Sequence, residues 1–104
     1  MTEYSIDIGA LAERDILEAV SYIQEVLFQP ESAKRLYHAI KEQMQSLSVM
    51  PERYAVVAEE PYTTMGVRKV KVENYLIFYI VNEKEKIVSI LRVLYYRREW
   101  HNLI

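Results

Sequence analysis

Two stretches in the C-terminal third limit the fold more than anything else in the chain. Over residues 75–81 (YLIFYIV) both sets of alternating side chains are apolar, and 87–94 (IVSILRVL) is similar apart from Ser89 and Arg92. Successive side chains of a strand point to opposite faces, so strands of this kind need cover on both sides of a sheet. In the first, Leu76, Phe78 and Ile80 oppose Tyr75, Ile77, Tyr79 and Val81. In the second, Val88, Ile90 and Leu94 oppose Ile87, Leu91 and Val93. The charged run 82–86 is a turn between them. Glu73-Asn74 is a two-residue hairpin turn ahead of them, in which Asn74 tolerates positive φ. Hairpin-linked strands run antiparallel.

The rest of the chain supplies cover for one face. Ala12, Ile16, Ala19, Val20, Ile23 and Leu27 recur at helical spacing and predict an amphipathic helix over about 10–28. Phe28-Gln29-Pro30 breaks that pattern, and proline suits the first turn of a second helix. Ala33, Leu36, Tyr37, Ile40, Met44 and Leu47 form its apolar face, and Pro51 follows its end. The short link makes the two helices an antiparallel hairpin. Residues 3–8 alternate as a half-buried strand, and 54–58 (YAVVA) and 67–72 (VRKVKV) are further strands, with a loop from Glu59 to Gly66 between them. The predicted order is βααββββ: an α+β fold with a helix hairpin packed on one face of a mainly antiparallel, twisted sheet. With 104 residues, 51% of them hydrophobic, and only two glycines and three prolines, the chain makes one domain, 1–104.

Two helices cover one sheet face. The other is expected either to receive a partner segment, with Leu76, Phe78 and Ile80 as its contact residues, or to be closed by the tail through Trp100, Leu103 and Ile104.

Charge is split along the chain. Residues 1–52 carry four basic and nine acidic side chains, a balance of −5; residues 53–104 carry nine basic and six acidic, a balance of +3. Such a split suggests that the second half meets something anionic. The absence of cysteine excludes disulfides and thiolate zinc sites. No glycine-rich phosphate loop, nucleophile elbow, H-E-x-x-H or metal-spaced histidine cluster occurs, so no metal or cofactor is expected and no catalytic residue is assigned. His38 follows Tyr37 on a helix and reads as a surface residue. With no secretory signal pattern and no apolar run near the ~18 residues that span a bilayer, a cytoplasmic protein is expected.

The candidate binding residues lie in the basic half. Lys69 and Lys71 alternate with Val70 and Val72 and point away from the helices, whereas Arg68 shares the valines' side at the strand end. Arg92 interrupts an apolar strand and needs either an anionic target or a helix carboxylate such as Asp15 or Glu18. Tyr95, Tyr96, Arg97, Arg98, Trp100 and His101 interleave aromatics with cations, a composition that suits nucleic-acid contacts and protein hot spots alike.

The run VENYLIFYIVNEKEKIVSILRVLYYRREWHNLI (72–104) resembles the C-terminal half of RelE/ParE toxins, the plasmid stabilisation family of bacterial type II toxin–antitoxin systems. That family has an N/G-Y-x-x-F/Y-Y strand, an acidic turn, and an I-x-R-V-L strand with an arginine-rich aromatic tail. The N-terminal half agrees, with Pro30-Glu31-Ser32-Ala33 opening the second helix and then Leu47-Ser48-x-x-Pro51-x-x-Tyr54. The resemblance covers essentially the whole chain. It implies a cognate antitoxin that wraps the toxin in a hetero-oligomer, and one of two targets. ParE-like members inhibit DNA gyrase; RelE-like members cleave mRNA in the ribosome. Many RelE-like nucleases place an arginine after the strand tyrosine, where this chain has Leu76, and the tail with Arg92, Arg97 and Trp100 is more similar to ParE. The expectation is therefore a ParE-like gyrase inhibitor. The alternatives are a RelE-like mRNA endonuclease acting with ribosome and mRNA, and a non-toxic partner-binding module.

Overall fold

Gly9 joins the first strand to the first helix at a close backbone approach. Its N–H donates to the Ile90 carbonyl at 3.0 Å, and a Cβ at this position would stand 3.0 Å from that same oxygen. In the computed structural model, which describes residues 3–101 and Ile104, β1 (Ser5–Ile8) ends here and α1 (Ala10–Ser21) begins. A π-helical turn, Tyr22–Val26, extends α1, and α2 (Pro30–Ser46) returns antiparallel with Pro30 in its first turn. A 3-10 turn at Pro51–Arg53, a one-turn helix α3 (Tyr62–Met65) and three strands complete the chain: β2 (Arg68–Val72), β3 (Tyr75–Asn82) and β4 (Ile87–Tyr95).

The sheet order is β1-β4-β3-β2. β4 pairs antiparallel with β3, β3 antiparallel with β2, and β1 runs parallel to β4. The α+β architecture with a helix hairpin on one face is as expected, with one strand fewer. Residues 54–58 contribute only a single bridge, Val56 to Arg68, because the neighbouring backbone is turned by Pro51–Arg53 and by α3. Two smaller expectations also change. α1 gives way to the π turn at Tyr22, so Leu27 stands half exposed instead of joining the core, and Tyr37 sits at the rim of the hairpin instead of inside it. The positive φ of the β2–β3 turn falls on Glu73, at 52°, not on Asn74.

A bulge in β4 decides which side chains face the helices. Tyr79 pairs with Ile90 but Phe78 pairs with Arg92, so Leu91 is the extra residue. A bulge shifts the alternation by one. Val88, Ile90 and then Val93 therefore face the helices, where they join Ile16, Ile40, Met44, Leu47, Ile77 and Tyr79, while Leu94 turns to the far side with Leu91. The strict alternation expected for 87–94 breaks at this point.

Beyond the last β1–β4 pair, Arg92 reaches α1. Arg92 donates to both carboxylate oxygens of Asp15, from Nε at 2.7 Å and from Nη2 at 2.8 Å, and the Val93 N–H donates to the same carboxylate at 2.9 Å. The Asp15 hydrogen bond, outweighing the cost of burial, holds the Arg92 guanidinium still more firmly protonated than usual. β1 stops pairing at Ile8–Ile90, so Asp15 supplies an acceptor that the β1 backbone no longer reaches. Elsewhere in the core, the buried Tyr79 hydroxyl donates to the Pro51 carbonyl at 2.7 Å, and burial pushes its pKa up to about 12.

Two outcomes are expected. Removing one partner of a buried pair costs roughly 3–5 kcal/mol, whereas an apolar replacement of both is often neutral. Asp15→Ala should thus lower the unfolding free energy in denaturant by about that amount, and Asp15→Leu with Arg92→Met should recover most of it. A raised tyrosine pKa contributes stability that is fully present below the unfolded value of 10.0 and is lost as pH rises towards about 12. Thermal melts should fall across that window, and Tyr79→Phe should flatten the decline.

Candidate functional site

The sheet face away from the helices carries a second, smaller core. Phe78 and Leu94 are buried there with Val57, Tyr62, Val67 and Trp100, and Leu76, Ile80, Leu91 and Ile104 pack around them. Trp100 is the keystone: its ring lies 4.9 Å from Phe78 and 6.0 Å from Tyr62 between centroids. Of the two covers weighed for this face, the tail and the 57–67 segment provide one within the chain itself. Leu103 lies outside the described residues. Phe78 is fully buried by this cover and offers no surface to a partner in this state; Leu76 and Ile80 keep partial exposure. Tyr62 Oη donates to the His101 carbonyl, the His101 ring stacks on Trp100 at 4.4 Å, and its Nε2 sits 3.6 Å from a Glu59 carboxylate oxygen.

Lys69 and Lys71 lie on this same outer face, exposed, while Val70 and Val72 are buried towards the helices. Each ammonium stands over a ring of the tail: Lys69 Nζ is 5.4 Å from the Trp100 centroid, and Lys71 Nζ is 4.8 Å from that of Tyr96. Arg97 approaches the Tyr96 ring at 5.3 Å and donates from Nε to the Tyr96 hydroxyl at 2.7 Å. One tyrosine is thus flanked by two cations, and no carboxylate among the described residues forms an ion pair with Lys69, Lys71 or Arg97. An exposed cation–π contact contributes about 0.5–1 kcal/mol, less than the ~1.5–3 kcal/mol of a hydrogen bond to a charged group. These cations therefore remain available to an anionic partner.

The other candidates divide into two places. Arg68 is held at the far end of β2 by the carbonyls of Glu52 and Tyr54, with the Glu52 carboxylate at 3.9 Å, and serves the loop that precedes α3. Arg92 is committed to Asp15 on the helix side. Tyr95 and Arg98 turn towards α1 and, with Glu18, Tyr22 and Tyr75, line a cleft of about 180 Å³. Burial, reinforced by the neighbouring Tyr95 and Tyr22, pushes the Tyr75 hydroxyl above its ordinary pKa. The contiguous set on the outer face is Lys69, Lys71, Tyr96, Arg97 and Trp100, with His101 beside it and Leu76 and Ile80 between. Six of the ten residues singled out for a target thus share a face with Leu76 and Ile80, and Arg68, Arg92, Tyr95 and Arg98 do not.

The helix side holds features that sequence reasoning missed: the π turn, and Phe28 beyond it, 82% exposed with φ at 54°. The sequence signal available was a bulky apolar side chain within two residues of a helix-opening proline. Among the described residues no group of three or more acidic or histidine side chains is placed to hold a metal, and no helix is long and apolar enough to cross a membrane.

Comparison with known proteins agrees with this geometry. The family model described as the ParE toxin of type II toxin-antitoxin system, parDE, matches residues 6–100. No curated protein matches. Among solved structures, the chain is similar to a chromosomal ParDE toxin–antitoxin system of P. aeruginosa, with 25% identity, a TM-score of 0.72, and coverage of 89% of this chain and 96% of that one. The toxin–antitoxin complex RelBE2 of Mycobacterium tuberculosis superposes with a TM-score of 0.68 at 23% identity, covering 91% and 93%. The archaeal RelE–RelB complex of Pyrococcus horikoshii follows at 0.58 and 21%, covering 95% and 100%. At these last two identities the likeness speaks for the fold alone. With the match spanning nearly all of its length, this chain belongs to the ParE toxin family of type II toxin–antitoxin systems.

Proposed function

We propose that the protein inhibits DNA gyrase in the cytoplasm and is neutralised by a cognate antitoxin that covers the outer face of its sheet. The observation that carries the gyrase reading over RNA cleavage is the make-up of that face. Across the β2–β3 ladder Lys71 is paired with Leu76, an apolar side chain, and Arg92, the only arginine within β4, is bound to Asp15 on the other side. Metal-free phosphodiester cleavage needs a general base, a general acid and charge-stabilising donors gathered on one phosphate. Here the cations are interleaved with rings instead, an arrangement that suits the hot spot of a protein interface, where Arg, Tyr and Trp are enriched.

Because Lys69, Lys71, Tyr96, Arg97 and Trp100 share a face with Leu76 and Ile80, neutralisation takes a simple form. An antitoxin segment with carboxylates would meet Lys69, Lys71 and Arg97 and lay apolar side chains on Leu76 and Ile80, and would thereby exclude the target by occupation. In that complex Phe78 contributes from beneath Trp100, as support for the contact.

The test is supercoiling of relaxed plasmid by gyrase with the purified protein titrated in. Inhibition with accumulation of cleaved DNA is expected, and loss of both arginines in Arg97→Ala plus Arg98→Ala should raise the half-inhibitory concentration at least ~10-fold. Unimpaired supercoiling by folded protein, together with cleavage of ribosome-bound mRNA, would replace this reading with the RelE-like one.

A further inference from the structure

On the solvent side of the helix hairpin, a groove of about 230 Å³ runs between α1 and α2. Buried Ile16 and Met44 form its floor, and Leu17 and Tyr37, 64% and 37% exposed, form its walls. One charged side chain stands at each rim, Glu13 on α1 and Lys41 on α2. Lys41 Nζ lies over the Tyr37 ring at 5.5 Å, and neither it nor Glu13 forms an ion pair among the described residues. Apolar walls left exposed beside unpaired charges mark a surface that meets a partner.

The pattern of charge identifies that partner. Successive residues of a helix stand about 100° apart, so Arg14 follows Glu13 outward from the groove on α1, and Glu42 follows Lys41 on α2; all four are exposed. Outward from the groove, α1 reads acid then base, and α2 reads base then acid. A partner of uniform charge would suit only half of such a face, whereas a second copy suits all of it. A two-fold axis laid along the groove carries α1 of one copy over α2 of the other. It sets Glu13 against Lys41 and Arg14 against Glu42, each contact occurring twice, and brings the four helices together as a bundle. Of the other charges nearby, Lys34 lies two turns nearer the tip, His38 beside Glu42 and Glu18 in the cleft on the far side of α1, all outside these pairs. α2, with 17 residues, is about 25 Å long and two helices are about 20 Å wide, so the face offers roughly 500 Å² per copy. Two such faces reach the ~1,000 Å² at the lower bound of a specific interface, which corresponds to a weak dimer.

We infer that this chain forms a two-fold homodimer through the solvent side of its helix hairpin, in which Glu13 and Lys41 of one copy pair with Lys41 and Glu13 of the other. The inference is independent of the gyrase reading. In such a dimer the helices lie between the two sheets. Both outer sheet faces, with Lys69, Lys71 and Arg97, then point away from the interface and stay open to their own partners. The dimer is therefore a two-headed form of the toxin.

Sedimentation equilibrium of the purified full chain at low salt, without antitoxin, tests this. The parent should show a monomer–dimer equilibrium with a dissociation constant in the micromolar range. Glu13→Lys and Lys41→Glu each set like charges together at two contacts, so each should weaken the dimer at least ~10-fold while melting close to the parent. Mixed in equal amounts, the two variants should dimerise again with near-parent affinity, because both contacts between unlike variants regain opposite charges. Leu17→Asp should abolish the dimer in every combination. A parent that stays monomeric up to about 1 mM would overturn the inference. So would a dimer that both charge variants leave intact, which would place the interface elsewhere, or a mixture that fails to recover, which would remove the Glu13–Lys41 contact. A monomeric parent whose Leu17→Asp variant loses affinity for a cognate antitoxin would assign the groove to the antitoxin and overturn the dimer as well.

Discussion

The pairing of Asp15 with Arg92 is the contact on which the arrangement of this protein turns. It is a two-pronged, nearly solvent-free ion pair whose acid also accepts the Val93 N–H. Its geometry depends on two neighbouring features. Gly9 lets β1 turn into α1 directly against the Ile90 carbonyl, which sets Asp15 beside β4. β1 stops pairing with β4 at Ile90, which leaves Arg92 and Val93 next to α1 with no β1 partner between. An ion pair of this kind is weak evidence for net stability, since desolvation offsets much of its attraction. Its value here lies in register: a one-residue slip of β4 would leave the Asp15 carboxylate buried without its partner.

That register has a consequence on the opposite side of the sheet. Past the bulge, Leu94 points outward, beneath Trp100, and the strand delivers Tyr95 towards the helices and Tyr96 towards Lys71. The basic-aromatic face is therefore a product of the shift at Leu91. Because the tail closes the second core from within the chain, the protein can bury its outer sheet face unaided, while Lys69, Lys71 and Arg97 stay exposed around the closure. A partner arriving on this face meets charge first and apolar surface second, the order in which electrostatic steering and then desolvation act in association.

Much of this was legible in the sequence, for definable reasons. Period-two and period-3.6 patterns located β1, the helix hairpin and the last three strands, because burial on one face writes itself into spacing. The alternation of Lys69 and Lys71 with Val70 and Val72 gave their orientation, and the cost of burying an arginine pointed to a helix acid for Arg92. What stayed hidden has no periodic signature. The bulge depends on which of two residues loses its partner, a matter of tertiary contact. Residues 54–58 have strand composition but are turned away by the 3-10 turn before them and α3 after them, leaving one bridge at Val56. The π turn and the left-handed Phe28 run against local propensity.

In the proposed function, the outer face around β2 and the tail is the working surface. Acetylation of lysine amines in the free protein and in its complex with gyrase, read residue by residue by mass spectrometry, tests it most directly. Lys69 and Lys71 should be protected strongly in the complex, while Lys41 on α2 and Lys84 in the β3–β4 turn keep the reactivity they have in the free protein. Full reactivity at Lys69 and Lys71 in a stable complex, with protection at Lys41 or Lys84 instead, would contradict it.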